Sequence, residues 1–199
     1  TAVSPDRRAQ VESGSGVSGW EAFGSSTRGG SSVGRGVIRP MRPEDVPRLV
    51  EVSRAADTVF ADAGVVLPPD DPVEMLSHAE GVLVAEDPFG LVVGLAATVT
   101  VDEVPHLEQL AVDPDHGRRG VGGSLVEAVC AEAAAEGHSR LTLTTFRDLP
   151  WNGPWYAARG FVVLPRGEWG PGLEEVWRSE ADIRVLPRVV MVREPLPPR

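Results

Sequence analysis

The residues with the clearest chemical potential form a basic, glycine-rich segment at positions 116–124, with the sequence HGRRGVGGS. Its glycines leave backbone N–H groups open to a ligand because they carry no side chain. A helix is predicted from Val121, and the first N–H groups of a helix lack partners within it. Arg118 and Arg119 add positive charge at this helix end, which already favours anions. The segment therefore predicts a phosphate or pyrophosphate site.

Two common phosphate-binding motifs do not fit this segment. A P-loop needs a lysine after its last glycine, but all 19 basic residues of the chain are arginines. A dinucleotide-binding fingerprint needs a small residue three positions after its second glycine, where this chain has Leu125. A nucleotide-binding domain of either kind is therefore disfavoured.

A second pair of candidate residues follows later in the chain. Asn152 and Tyr156 are its only asparagine and its only tyrosine, four residues apart in a predicted helix. This spacing places both side chains on the same helix face. A phenol, with an ordinary pKa of about 10, can donate a proton. The alternative for Tyr156 is a packing role between core and water.

Candidate proton acceptors lie on the strand predicted before the glycine-rich segment. Strand side chains alternate, so one face should carry His106, Glu108, Leu110 and Val112. A glutamate among Leu, Ala and Val is out of keeping with a purely structural role in the core. The alternative is a position at the edge of the sheet, where both polar side chains simply reach water.

The glycine-rich segment resembles motif A of the GNAT superfamily of N-acetyltransferases, written R/Q-x-x-G-x-G/A after a strand that ends in a V-x-P-like turn. Here residues 111–114 (AVDP) supply the turn, and Gly120 and Gly122 supply the two small positions. Gly117 stands where the family has Arg or Gln. Residues 146–161 (FRDLPWNGPWYAARGF) resemble the later motif of the same family, which precedes a Gly-Phe turn.

This resemblance implies acetyl-CoA as the co-substrate, without a metal. It implies that Asn152 binds the pantetheine arm and that Tyr156 protonates the departing coenzyme A thiolate. Backbone N–H groups of the strand would polarise the thioester carbonyl. The first candidate base is Glu108, the second is His106, and water is the third. The other expected contacts to coenzyme A are Leu110, Ala111, Val112, Arg118, Arg119, Gly120, Val121, Gly122, Gly123 and Ser124.

The resemblance further implies an enzyme that transfers an acetyl group directly to the primary amine of a small acceptor, in a ternary complex. The alternative is a non-catalytic acyl-CoA-binding module with a regulatory role. Binding of acetyl-CoA without turnover would distinguish this module from the enzyme.

Composition narrows the range of partners. A net charge of −10 argues against a nucleic-acid surface and favours a cationic acceptor. No apolar run approaches the ~20 residues of a membrane span. The single cysteine, Cys130, permits no internal disulfide, so a cytoplasmic location is expected. Composition leaves a homodimer open.

Residue patterns divide the chain into two parts. Residues 1–35 contain fifteen Gly or Ser and are predicted to form a flexible tail, whereas residues 36–199 form the GNAT-like domain. The resemblance implies an α/β (α+β) fold with a mixed, mostly antiparallel central sheet flanked by helices. Helices are predicted at 43–60, 73–78, 121–136 and 151–159, and strands at 37–39, 82–86, 91–101, 106–112, 140–146, 161–164 and 188–192.

Overall fold

The computed structural model describes residues 20–22 and 36–197, and these contain a single mixed sheet. The strands are β1 (Trp20–Ala22), β2 (Gly36–Pro40), β3 (Gly81–Glu86), β4 (Val92–Val101), β5 (Val104–Val112), β6 (Leu141–Phe146), β7 (Val162–Val163) and β8 (Arg188–Arg193). Their order is β1-β2-β3-β4-β5-β6-β8-β7. The β1–β2 and β5–β6 pairs are parallel, and the other five are antiparallel. The predicted mixed, mostly antiparallel sheet is confirmed.

Helices cover both faces of this sheet. They are α1 (Val46–Asp62), α2 (Pro72–His78), α3 (Val121–Ala135), α4 (Gly153–Ala157) and α5 (Pro171–Ser179). One buried cluster joins α1 and α2 to the sheet, and a second joins α3 and Tyr156 of α4 to the other face. A third, smaller cluster joins α5 to β8. None of the helices in the described ranges is long and apolar enough to cross a membrane.

Local sequence explains where the helices begin and which side they bury. In α1, Leu49, Val52, Ala56 and Phe60 recur at helical spacing and are all buried. The carboxylate of Asp71 caps α2 by accepting the N–H of Val73 at 2.9 Å. These signals lie close together in the chain, which is why the sequence predicts both helices.

Strands β5 and β6 pair over only two positions and then separate. The register pairs His106 with Thr142 and Leu107 with Leu143, and then stops. β5 continues to Val112 against β4, and β6 continues to Phe146 against β8. A gap therefore opens in the sheet between the carboxyl-terminal halves of two parallel strands.

A β-bulge in β5 lies beside this gap. Ala97 of β4 pairs with Gln109, but the next residue, Thr98, pairs with Leu107, so Glu108 is an extra residue in β5. A bulge interrupts the alternation of side chains along a strand. Leu107 therefore packs on the α3 side of the sheet, while the Gln109 side chain donates to Ser53 of α1.

The bulge corrects one prediction about this strand. His106, Glu108, Leu110 and Val112 do not share one face, because the extra residue shifts the alternation between His106 and Leu110. Leu110 and Val112 pack with α3. His106 contacts Thr142, whose neighbours on both sides pack towards α3, so His106 faces α1. No feature of the sequence reveals a bulge at this position.

The amino-terminal segment and α5 differ from the predicted elements. The tail predicted for residues 1–35 lies outside the described residues, except at Trp20–Ala22, where β1 runs parallel to β2. Sequence patterns alone do not predict α5. Its first turn is held by Asp102, at the tip of the β4–β5 hairpin, which accepts the N–H groups of Gly172 and Leu173 at 2.7 and 2.9 Å. This cap lies about seventy residues away in the chain, so local patterns do not show it.

Candidate active site

The glycine-rich loop follows directly from the end of β5. The Asp113 carboxylate accepts two hydrogen bonds. One comes from the Asp115 N–H at 3.0 Å, and the other comes from the guanidinium of Arg48 in α1 at 2.5 Å. Arg118 and Gly120 then adopt left-handed backbone conformations, with φ of 60° and 87°. Such a conformation costs a non-glycine residue energy. The turn leads directly into α3 at Val121.

The amino-terminal turn of α3 has the geometry of an anion site. Ser124 donates its N–H to the Gly120 carbonyl at 2.9 Å, so the amides of Val121, Gly122 and Gly123 precede the first intrahelical bond. A Cβ placed on Gly122 would lie 3.6 Å from both Val112 and Trp155. Gly122 therefore lies where the end of β5 meets α4, and a longer side chain would project into this junction.

A third arginine, which the motifs in the sequence did not indicate, joins Arg118 and Arg119 at this end of α3. The Arg159 guanidinium lies 3.5 Å above the Trp155 ring and donates to the Trp155 carbonyl at 2.9 Å. Its Nε lies 3.4 Å from a Cβ placed on Gly123. Arg118 and Arg119 are exposed at the loop itself. The clue to Arg159 is its position three residues after Tyr156, one turn further along the chain.

Asn152 comes directly before α4 rather than within it, Tyr156 lies in α4, and both are completely buried. The side-chain amide of Asn152 donates to the Thr145 hydroxyl at 3.0 Å, and the backbone carbonyl of Asn152 accepts the Tyr156 N–H at 2.9 Å. The Tyr156 ring contacts Trp155 and Phe161 edge-on. Burial raises the pKa of the Tyr156 phenol, which stays protonated at neutral pH.

Six buried polar atoms without a hydrogen-bond partner among the described residues belong to the elements that border the gap between β5 and β6. Leaving such an atom unpaired costs about 1–3 kcal/mol, so each of them is expected to bond to a ligand or to water. They come from β5 and β6 beyond their last paired residues, from the start of α4 and from β8. They are Gln109 Oε1, Thr144 Oγ1, Trp151 Nε1, Asn152 Oδ1, Tyr156 Oη and Arg188 Nε.

Glu108 at the bulge forms an ion pair that the sequence did not suggest. Its Oε1 lies 2.8 Å from Nε2 of His78, the last residue of α2. The carboxylate raises the pKa of the His78 imidazole, although burial partly opposes this effect. Both side chains are partly exposed, so a proton held by this pair can exchange with solvent.

His106 lies in a different environment from Glu108. It is buried, and its Nδ1 lies 2.9 Å from the Thr142 hydroxyl. Burial, aided by the positive charge of Arg188, lowers the pKa of His106 to about 4. The imidazole is therefore neutral at neutral pH and only weakly basic.

One side of the gap is formed by the backbone of Leu110, Ala111 and Val112. All three residues are buried and pair with β4 along one edge of β5. Their other edge faces the gap, because the β5–β6 register ends at Leu107. Within the described ranges, no group of three or more His, Cys, Asp or Glu side chains is arranged to hold a metal ion.

A scan against protein families agrees with this geometry. Residues 78–163 match the family described as the acetyltransferase (GNAT) domain. This segment of the chain is thus similar to a GNAT acetyltransferase domain. The match includes β5, the glycine-rich loop, α3 and α4, so the resemblance predicted from the sequence is confirmed.

Two curated relatives are mycothiol acetyltransferases. The protein from Clavibacter sepedonicus is 37% identical over 113 residues, which cover 48% of this chain and 35% of the relative. The protein from Frankia casuarinae is 35% identical over 102 residues, which cover 51% of this chain and 28% of the relative. This chain thus spans about a third of the length of the curated relatives that it matches.

Solved structures show the same fold. N-acetylglutamate synthase from Neisseria gonorrhoeae, complexed with coenzyme A and N-acetyl-glutamate, matches with a TM-score of 0.64 and 24% sequence identity. The match covers 80% of this chain and 35% of that protein. At this level of identity the likeness concerns the fold of the GNAT domain, and the roles of individual residues stay predictions.

Proposed function

We propose that the GNAT domain is an N-acetyltransferase that moves the acetyl group of acetyl-CoA to the primary amine of a small, protonated acceptor. The main support is the gap between β5 and β6, together with the buried polar atoms of the bordering elements that have no partner among the described residues. A thioester arm entering this gap would meet the free edge of β5 on one side and α4 on the other.

Coenzyme A would be held at two places. The pyrophosphate would accept the N–H groups of the first turn of α3, Val121 to Gly123, where Arg118, Arg119 and Arg159 supply positive charge. The pantetheine arm would donate to the side-chain oxygen of Asn152, Oδ1, which is buried and has no partner among the described residues. Val112 and Trp155 would confine the arm beside Gly122.

The edge of β5 would activate the thioester. N–H groups of the Leu110–Val112 segment would donate to the thioester oxygen, where negative charge grows as the amine attacks. These groups are fixed by the pairing of β5 with β4, so they need little reorganisation during the reaction.

Glu108 is the best-supported base. The acceptor arrives as an ammonium ion with a pKa near ~10 and must lose a proton before it can attack. Glu108, directly or through water, would take this proton and pass it to solvent beside His78. His106 is a poorer candidate, because burial leaves its imidazole weakly basic.

Tyr156 would serve the leaving group. The amine forms the new C–N bond as the C–S bond breaks, and a negative charge develops on sulfur. The neutral Tyr156 phenol would donate a hydrogen bond to this sulfur. The second proton lost by the amine nitrogen balances the proton that coenzyme A gains as a thiol. One proton per turnover is thus released to solvent.

Release of coenzyme A thiol tests this proposal. The chain is incubated with acetyl-CoA and a panel of primary amines, and free thiol is measured against a control without amine. Amine-dependent release with formation of the acetylated amine supports the proposal. Tight acetyl-CoA binding without turnover on any amine would instead favour the non-catalytic acyl-CoA-binding module.

A further inference from the structure

A cavity of about 320 Å³ lies on the α1 side of the sheet, outside the groups assigned above to coenzyme A. It is bounded by α1, by residues 65–70 that follow α1, and by the ends of β6 and β8. Phe60 and Phe146 are buried at its floor, whereas Val66 and Asp70 are exposed at its mouth. Apolar side chains form most of its walls.

Two carboxylates lie on the outer part of this cavity. Asp57 of α1 is half-buried and Asp70 is exposed. Burial, and then the charge of Asp70, raise the pKa of Asp57 to about 6. Neither carboxylate forms an ion pair within the described part of the chain. A cation placed between them would relieve their repulsion.

Arg188 of β8 lies at the buried part of the same cavity and is 7% exposed. Its guanidinium lies 4.8 Å from the Phe146 ring, and Nη2 donates to Glu180 at 3.0 Å. Its Nε is buried and has no acceptor among the described residues. Burial lowers the pKa of Arg188, and the nearby Glu180 carboxylate only partly opposes this effect. A carboxylate is the group that best fits such a donor.

The buried end of the cavity borders the gap between β5 and β6. Arg188 pairs with Phe146 at the end of β6, beyond the last residue that pairs with β5. Its charge acts on both Tyr156 and His106, which flank the gap. A group bound by Arg188 would therefore lie close to the reacting thioester.

We infer that this cavity is the acceptor site and that it selects a basic amino acid, with the carboxylate on Arg188 and the side-chain cation between Asp57 and Asp70. The α-amine, attached beside the carboxylate, then faces the gap and receives the acetyl group. This inference rests on the proposed acetyl transfer, and it narrows the acceptor from amines in general to amines that also carry a carboxylate.

Three probes of similar length separate the two recognition elements. Lysine carries both groups, cadaverine lacks the carboxylate, and norleucine lacks the side-chain cation. Thiol release should be fastest with lysine, with kcat/KM lower by about tenfold or more for each of the other two, the usual scale for losing a charge-assisted hydrogen bond. Asp57→Asn should raise the KM for lysine and reduce the difference in kcat/KM between lysine and norleucine. Asp62→Asn, an exposed position on the same helix outside the cavity, should change neither value.

Calorimetric titration of the three probes, with coenzyme A present, provides a readout that does not need turnover. Tighter binding of lysine than of cadaverine and norleucine, weakened by Asp57→Asn and not by Asp62→Asn, supports the inference even if turnover is slow. Equal binding of all three probes, or equal kcat/KM values, overturns it. Acetylation of other amines in the same assay would leave the proposed acetyl transfer standing, so the two failures can be told apart.

Discussion

Asp57 offers a test of the physical chemistry of the cavity that does not depend on any assumed substrate. The structure raises the pKa of this carboxyl from 3.8 to about 6, chiefly because burial penalises the charged form. The folded state therefore holds a proton on Asp57 more tightly than the unfolded state does. Ionised Asp57 opposes folding, and the replacement Asp57→Asn should remove this penalty.

The size of the effect follows from the shift in pKa. A shift of about 2 units corresponds to about 3 kcal/mol if the whole penalty is felt. Asp57 is only half-buried, and solvent screening reduces this value, so we expect a gain of about 1 kcal/mol at pH 7. The penalty is fully present above pH ~6 and absent below pH ~4, so the gain should disappear as the pH falls through this window.

Urea denaturation at pH 7 and at pH 4 measures this difference. The midpoint for Asp57→Asn should be higher than that of the wild type at pH 7 and equal to it at pH 4, with an unchanged slope. Asp62→Asn serves as the matched control and should follow the wild type at both values. If Asp57→Asn is no more stable than the wild type at pH 7, or if its gain in stability persists at pH 4, then burial does not penalise the ionised form of Asp57.

Three further predictions concern the site and its support. Tyr156→Phe should lower kcat by about 10²–10⁴ without loss of stability, because the phenol oxygen has no partner among the described residues, and kinetics together with urea denaturation would show both effects. Equal turnover in this variant would make Tyr156 a packing residue. Glu108→Gln should lower the pKa of His78 towards its ordinary value, followed by NMR, and should cost activity mainly at neutral pH, where little free amine exists. A His78 pKa that does not move would contradict the ion pair. Asp102→Ala should destabilise the domain by about 1–2 kcal/mol in urea, because α5 loses the acceptor of its first N–H groups, and an unchanged midpoint would show that other contacts hold α5.

Much of the fold could be predicted because its signals are local. The helical spacing from Leu49 to Phe60 and the proline and glycines after β5 lie within one element or one turn. By contrast, α5 begins on a carboxylate from a distant hairpin, and the bulge at Glu108 becomes visible only when β4 and β5 are paired residue by residue. Such features depend on tertiary contacts, and no spacing rule within the segment reveals them.

The candidate site divides in the same way. Asn152, Tyr156 and the glycine-rich loop belong to contiguous motifs, so their types and spacing identified them. His78 reaches Glu108 from α2, and Arg159 reaches the start of α3 from the turn that follows α4. Both residues come from elements that meet only in the folded protein. The weak basicity of His106 likewise follows from its burial, which the alternating pattern of a strand did not predict.

Calorimetric titration of acetyl-CoA into the wild type and the Gly122→Glu variant tests the central claim most directly. A Cβ fits at Gly122, but the longer glutamate side chain would project into the junction between β5 and α4 and bring negative charge to the start of α3. Gly167→Glu, at an exposed glycine with open space around it, is the control. We predict saturable binding at one site in the wild type and in Gly167→Glu, and at least about hundredfold weaker binding in Gly122→Glu. Equal affinity in all three proteins, each shown to be folded by circular dichroism, would contradict a coenzyme A site at the glycine-rich loop.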